Sequence, residues 1–227
     1  MRFILKAMVT LSEENYLKAI YHLGKQGVNA VSTNAIAEKM DTKASSVTDM
    51  IKKLAEKDLV DYIKYQGVSL TKEGRLTAAS VIRKHRLWEV FLVEKLHFSW
   101  DEVHDVAEQL EHIQSKKLIN ELDAFLDHPT HDPHGDPIPD KDGNISKMDK
   151  IILSQLQAGE HCICIGVNDS SADFLKYLDK HHIALGTPIQ IISKEPFDES
   201  MTIKVNDTTI NISKVVSNNI YVKSQTV

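Results

Sequence analysis

Four prolines between positions 129 and 139 (Pro129, Pro133, Pro137 and Pro139) divide this chain into two regimes that no single regular element can join. Proline fixes φ and lacks an N–H, so the stretch from His128 to Pro139 cannot be helical and reads as a stiffened loop. Before it, apolar residues recur at steps of three and four, the spacing of amphipathic helices. After it, from Cys162 onward, short segments alternate at a step of two, the spacing of half-buried strands. The chain is therefore expected to be mainly α, with a small β domain at its C-terminal end.

At 227 residues there is room for one large domain or two to three small ones, and 42% hydrophobic with 26% charged residues is the composition of an ordinary folded protein. Apolar runs such as Ile163–Val167 are far too short to span a bilayer, so no membrane partner is expected. The start, Met1-Arg2-Phe3-Ile4-Leu5-Lys6, has no cleavable signal shape, which reads as cytoplasmic. Cys162 and Cys164 would share one strand face and pack as small apolar groups without a disulfide. The net charge of -5 hides a gradient. Residues 1–74 carry 11 Lys/Arg against 9 Asp/Glu, and residues 75–150 carry 10 against 15 with 7 of the 11 histidines. A mildly basic first third and an acidic, histidine-rich middle suggest a nucleic-acid end and a cation end.

Taken in order, Leu11 to Gly24 reads as a helix with Ser12 as N-cap and Glu13 and Glu14 in the first turn, where the helix dipole favours anions. A short capped helix over Val31–Met40, a turn at Asp41-Thr42-Lys43 and a longer helix over Ala44–Lys57 make a helix-turn-helix. The second helix would lie in the major groove, presenting Lys43, Ser45, Ser46, Thr48 and Asp49 to phosphates and base edges, with Lys52 and Lys53 toward the backbone. Leu59 to Leu70 reads as two short strands joined near Gln66-Gly67, a wing whose Lys64 and Tyr65 are further DNA candidates. A small helical domain that binds protein would share the helices, but the added wing favours DNA.

A long helix follows over Arg75–Leu96, with His85 and Glu89 four apart on one face. In the stretch Val103 to His112, Val103, Val106, Ala107 and Leu110 form a buried stripe. His104, Glu108, Glu111 and His112 recur at three- and four-residue steps, so a helix stacks two carboxylates and two imidazoles on the adjoining face. That is a half-shell for a divalent cation, and a solvated Glu/His face has the same pattern; the helix alone does not choose between them. A further helix, Ser115–Leu126, completes an apolar-faced set suited to dimerisation. The proline loop presents His131, Asp132 and His134 as a second set of potential ligands, unless it is only a solvated connector. Residues 141–150 read as a linker, and five short strands with one helix (Ser170–His181) suggest a small β-barrel. The expected domains are 1–74, 75–150 and 151–227.

In this order the helix-turn-helix, wing, ligand helix and proline loop resemble the diphtheria-toxin-repressor family of metal-dependent transcriptional regulators, most of all its manganese-responsive branch. The resemblance covers nearly the whole chain. It rests on Ser45-Ser46-Val47-Thr48, Arg83-Lys84-His85-Arg86-Leu87-Trp88-Glu89, Val103-His104-Asp105, Glu108 to His112 and His128 to Pro139. It implies a C-terminal FeoA-like barrel and a regulatory metal site joining a first-helix residue, here Asn15, to Glu108, Glu111 and His112. It implies a second site from His85, Glu89 and His104 or, in three-domain manganese regulators, from Glu89, Asp132, His134 and Asp173. Asn15 departs from the usual Asp or Met. Lys18 stands where some manganese regulators carry a bridging glutamate, so a closely bridged ion pair is not expected. Carboxylates at Glu108, where some members have cysteine, and at Asp132, where cysteine is frequent, favour a hard ion.

The function these features imply is a homodimeric repressor of metal-uptake genes that takes Mn2+, with Fe2+ as the alternative and two ions per subunit, and binds a two-fold symmetric double-stranded DNA operator. A metal-dependent hydrolase is the rival from another class. It would need an open coordination position and a general base, and neither an HExxH motif nor a nucleophile–base pair is present.

Overall fold

The computed structural model describes residues 9–63, 66–146 and 149–225, so the two wing candidates Lys64 and Tyr65 lie outside the described residues. The chain divides into two compact units: residues up to 85 with 109–116 and 139–145, and residues 86–108, 117–138 and 146 onward.

The first unit opens with α1 (Leu11–Leu23). Its N-cap is Thr10, whose hydroxyl accepts the Glu13 N–H while the Glu13 carboxylate accepts the Thr10 N–H at 2.8 Å. The expected cap, Ser12, is thus already helical. The reciprocal box needs a Glu or Gln side chain three residues on, long enough to reach back to the N-cap N–H; Thr10 finds it in Glu13, whereas Ser12 meets the shorter Asn15. Helices α2 (Thr33–Lys39) and α3 (Ala44–Glu56) are joined by a tight turn in which Asp41 takes φ 45°, a left-handed conformation that aspartate tolerates. Val31, expected at the start of α2, instead bridges Val68 of the wing, and Ser32 caps the helix. Strands β1 (Val60–Ile63) and β2 (Gly67–Leu70) pair antiparallel as the wing. Leu17, Ile20, Ile36, Val47, Ile51, Leu54 and Val68 form a fully buried core, to which the N-terminal half of α4 (Lys72–Leu96) adds Ala78 and Ile82. Part of the expected linker is packed, since Ile145 lies against this same core.

The second unit contains the rest of α4, most of α5 (Val103–Leu110), α6 (Lys116–Phe125) and a six-stranded antiparallel sheet. Its strands are β3 (Ile151–Ile152), β4 (His161–Val167), β5 (Pro188–Lys194), β6 (Met201–Val205), β7 (Thr208–Ile212) and β8 (Ile220–Gln225), in the order β3-β8-β4-β5-β6-β7. Helices α7 (Ala172–Lys180) and α8 (Lys214–Asn218) complete it. The sheet is open, not the expected closed barrel. Alternation assigns faces to strands but not closure, and the edge strand β3 is only two residues long. Bulges at Cys164/Gly166 and Ile191/Ser193 bend the sheet around a core of Leu175, Leu178, Ile189, Ile203 and Ile220. Cys162 and Cys164 sit in that core as free thiols, their pKa values pushed up by burial to about 12 and about 11. Among the described residues, no helix is long and apolar enough to cross a membrane.

Candidate metal centre and nucleic-acid interface

In the second unit Glu89, Asp132 and His134 are all buried, and each brings a potential ligand atom within 4.8 Å of the others. The proline loop supplies two of the three through a rigid frame. Asp132 Oδ1 accepts the backbone N–H of both His134 and Asp136 at 2.9 Å, which ties the turn to its own side chain. Arg86, one turn before Glu89 on α4, reaches Asp132 at 3.2 Å and also donates to the Pro137 carbonyl. Gly135 enters the turn at φ 83°, so close to β4 that an added Cβ would lie 2.1 Å from the Ile165 carbonyl oxygen. The loop is pinned there by the Val167 N–H, which donates to the His134 carbonyl at 3.0 Å.

His134 Nε2 lies 2.8 Å from the Trp100 carbonyl oxygen. A carbonyl only accepts, so Nε2 carries the proton and the lone pair of the neutral ring is on Nδ1, which faces Glu89 Oε1 at 3.8 Å. A histidine that gives one N–H to a backbone carbonyl and aims the other nitrogen at a carboxylate has the orientation of a metal ligand. Charge points the same way. Glu89, Asp132 and Asp136 converge here; Arg86 pairs with both aspartates and Lys150 with Asp136. Burial, then the negative charge of Glu89, pushes the Asp132 carboxyl up to about 6 despite Arg86. A divalent cation would relieve that repulsion, and these oxygen and nitrogen donors suit a hard or borderline ion such as manganese or ferrous iron. His104 borders the group, 3.6 Å from Glu89 and 3.7 Å from Glu108, and the side chains of His104 and Glu108 are half exposed. Asp173 is exposed in the first turn of α7 and is not part of the three-residue group.

The other expected ligands meet different company in the first unit. Helix α5 ends at Leu110, so Glu111 and His112 belong to the following turn and not to the helix face on which their spacing placed them. Glu111 is fully buried, with Lys18 Nζ 2.8 Å from both its oxygens and His85 Nδ1 donating at 2.6 Å. Burial raises the Glu111 pKa, but His85 and Lys18 outweigh it and hold the carboxyl below its ordinary value. His112 Nδ1 donates to Glu14 at 2.6 Å, Gln114 donates to Glu14 at 2.9 Å, and Lys84 lies 3.6 Å from the same carboxylate. Asn15 is half-buried on α1, next to Glu14. Position in the first turn explains Glu14 only as complementing the helix dipole, and spacing alone gives Lys84 no role. The signal for Glu14 is chemical: α1 carries charge at Glu14 and Lys18, four residues apart on one face.

The face of α3 is what a groove-reading helix requires. Ser45, Ser46, Asp49, Lys52 and Lys53 are exposed, and Val47, Ile51 and Leu54 anchor the opposite side. Thr48 is half-buried and donates its hydroxyl to the Ala44 carbonyl, and Lys52 lies 3.4 Å from Asp49. Lys43 occupies the N-cap without a side-chain hydrogen bond to the first turn, which leaves backbone N–H groups available to a phosphate.

Three segments match described families. Residues 8–68 match the iron dependent repressor N-terminal DNA binding domain, 71–140 the iron dependent repressor metal binding and dimerisation domain, and 151–224 the FeoA domain. The chain is 36% identical over 126 residues to the iron-dependent repressor IdeR of Mycobacterium tuberculosis (strain ATCC 25618 / H37Rv), a match covering 56% of this chain and 54%, about half, of that protein's length. A manganese-dependent transcriptional repressor solved in complex with manganese superposes with a TM-score of 0.83 at 34% identity, covering 94% of this chain and 100% of that one. IdeR of Mycobacterium leprae (strain TN) is 30% identical over 182 residues, 80% of this chain and 70% of its own length. A relationship of that extent decides the matter: the chain belongs to the diphtheria-toxin-repressor family of metal-dependent transcriptional repressors, which are regulators and not enzymes.

Proposed function

We propose that this protein is a manganese-responsive repressor of metal-uptake genes that takes its regulatory ion at Glu89, Asp132 and His134 and reads DNA with α3. The observation that carries the reading is the His134 ring, fixed by the Trp100 carbonyl so that Nδ1 faces Glu89 inside a buried, carboxylate-rich pocket. When bound, a divalent ion there would neutralise the converging carboxylates and clamp the loop to α4. The chain's own residues do the rest: Arg86 and the Asp132 turn hold the loop, and Trp100 orients His134. His104, Glu108 and Asp173 are candidates to complete the shell. Ferrous iron is the second reading, favoured by the imidazole donor and by the iron-dependent relatives. The second ion expected per subunit has its donors, Glu111 and His112, engaged by side chains of α1.

A homodimer on a two-fold DNA site follows from this reading. Phe125 and Leu118 on α6 are exposed apolar groups in the region matching a dimerisation domain, a surface suited to a second copy. Two recognition helices would then need a separation of about 34–36 Å or a multiple of it. Binding of metal to the DNA-competent arrangement would be coupled reciprocally to DNA.

The test is retention of source-genome DNA fragments on the purified protein with manganese, with ferrous iron and with chelator. Metal-dependent enrichment of a few promoter fragments is expected, and Glu89→Gln should remove it. Equal retention with chelator would overturn the metal switch, and no retention under any condition would overturn the repressor reading.

A further inference from the structure

The junction between α1 and the 111–114 segment differs from the Glu89 centre in its charge balance. Two buried carboxylates, Glu14 and Glu111, face two ammonium groups, Lys84 and Lys18. The charges of these four groups sum to zero without any ion. Adding a divalent cation would place an excess of two positive charges among groups that are almost wholly removed from water, which costs far more than the same ion costs at a carboxylate-rich site. Lys18 sits in the middle of this arrangement, its ammonium equidistant at 2.8 Å from both Glu111 oxygens, in the place a chelated ion would occupy on that carboxylate. The lysine side chain is itself 15% exposed and the glutamate's 1% exposed, so water competes little for the pair. The remaining donors, Glu111 Oε1 and His112 Nε2, still face each other at 3.6 Å. The pair of ligand atoms is present, and the lysine stands on one of them.

We propose that Lys18 is a tethered cation. Its ammonium replaces a divalent ion at Glu111, so the first unit closes around α1 without metal and each chain takes one regulatory ion, at Glu89, Asp132 and His134. The location of that one ion rests on the preceding reading, and the assignment of Lys18 does not. A protein of this design has no second ion to lose, so its metal response should be non-cooperative within a chain.

The test is to count bound manganese on the full-length protein after gel filtration in excess Mn2+, by electron paramagnetic resonance of the acid-released ion. Wild type should hold one Mn2+ per chain, and Glu111→Gln should leave that number unchanged. Lys18→Glu, which swaps the ammonium for a carboxylate, should raise the count to two, and adding Glu111→Gln to it should return the count to one. Should Lys18→Glu fold poorly, Lys18→Gln provides a neutral alternative, and its melting temperature should rise with added Mn2+ more than that of wild type. A wild-type protein that loses an ion on Glu111→Gln would overturn the proposal, as would a Lys18→Glu protein that gains none. Glu89→Gln separates the two readings: if it leaves the wild-type count unchanged, the location of the regulatory ion is wrong, whatever Lys18 does.

Discussion

Replacing Gly135 by alanine tests whether the proline loop must touch β4 for the proposed metal centre to form. The glycine stands at φ 83°, and its missing Cβ would fall 2.1 Å from the Ile165 oxygen, 2.5 Å from the Gly166 Cα and 2.9 Å from the Ile165 carbonyl carbon. All three are backbone atoms, so no side chain can swing aside and the loop must lift from the strand. Left-handed strain in alanine contributes roughly 1–2 kcal/mol. Loss of the hydrogen bond from the Val167 N–H to the His134 carbonyl adds about 1 kcal/mol, for a total of about 2–3 kcal/mol. Because His134 is the adjacent residue, manganese affinity should fall by about 10–100-fold, as when a ligand loses its supporting contacts. Gly159 supplies the control. It has φ 90° but nothing within 4 Å of its missing Cβ, so Gly159→Ala should cost only the strain, roughly 1–2 kcal/mol, and leave affinity alone. Urea unfolding in chelator gives the stabilities and manganese calorimetry gives the affinities. If Gly135→Ala bound manganese like wild type, the argument that the loop is held in ligand geometry by β4 would fail.

Further expectations can be checked with the same protein. Asp132 has a folded-state pKa raised from 3.8 to about 6, so in chelator its contribution favours folding below pH 4 and is lost as pH climbs to 6. The loss is about 3 kcal/mol, and urea titrations across that range should show it in wild type but not in Asp132→Asn. Lys52→Ala and Lys53→Ala should each weaken DNA binding across sequences and flatten the dependence of log affinity on log salt by about 1; an unchanged salt slope would remove that lysine from the phosphate contacts. Thr10→Ala breaks the capping box of α1 and should cost about 1 kcal/mol in urea unfolding, whereas Ser12→Ala should cost little.

The helices were legible because one face of each is buried, and Val47, Ile51 and Leu54 illustrate how a repeating stripe announces itself without any knowledge of what covers it. The loop carrying the proposed ligands was legible as a stiffened loop because proline leaves few alternatives, with Asp132 and His134 flanking Pro133 in it. Pairing across the chain was not. Glu14 and His112 are 98 positions apart, Lys18 and Glu111 are 93 apart, and local spacing carries no information about which distant charge a buried carboxylate will meet. The stop of α5 at Leu110 escaped for a related reason. Glu111 continues the helical rhythm in sequence, but its buried bonds to Lys18 and His85 fall in a turn. Strand β3 and helix α8 were too short to leave a period, and closure of the sheet depends on edge ladders that alternation does not encode.

Trp100 has one consequence for observation. Its carbonyl holds His134, its ring stacks on the imidazole with centroids 6.1 Å apart and planes 13° apart, and its indole N–H donates to Asp179 of α7. The chain has two tryptophans, and the other, Trp88, is buried. Trp100 is therefore a built-in fluorophore whose ring centroid lies 6.1 Å from that of a proposed ligand. A paramagnetic ion arriving at His134 should quench its emission directly, while diamagnetic zinc in the same place should shift the emission without that quenching. A Trp88→Phe protein would carry a single tryptophan, and with excitation selective for it occupancy of the centre could be followed in real time with no label attached.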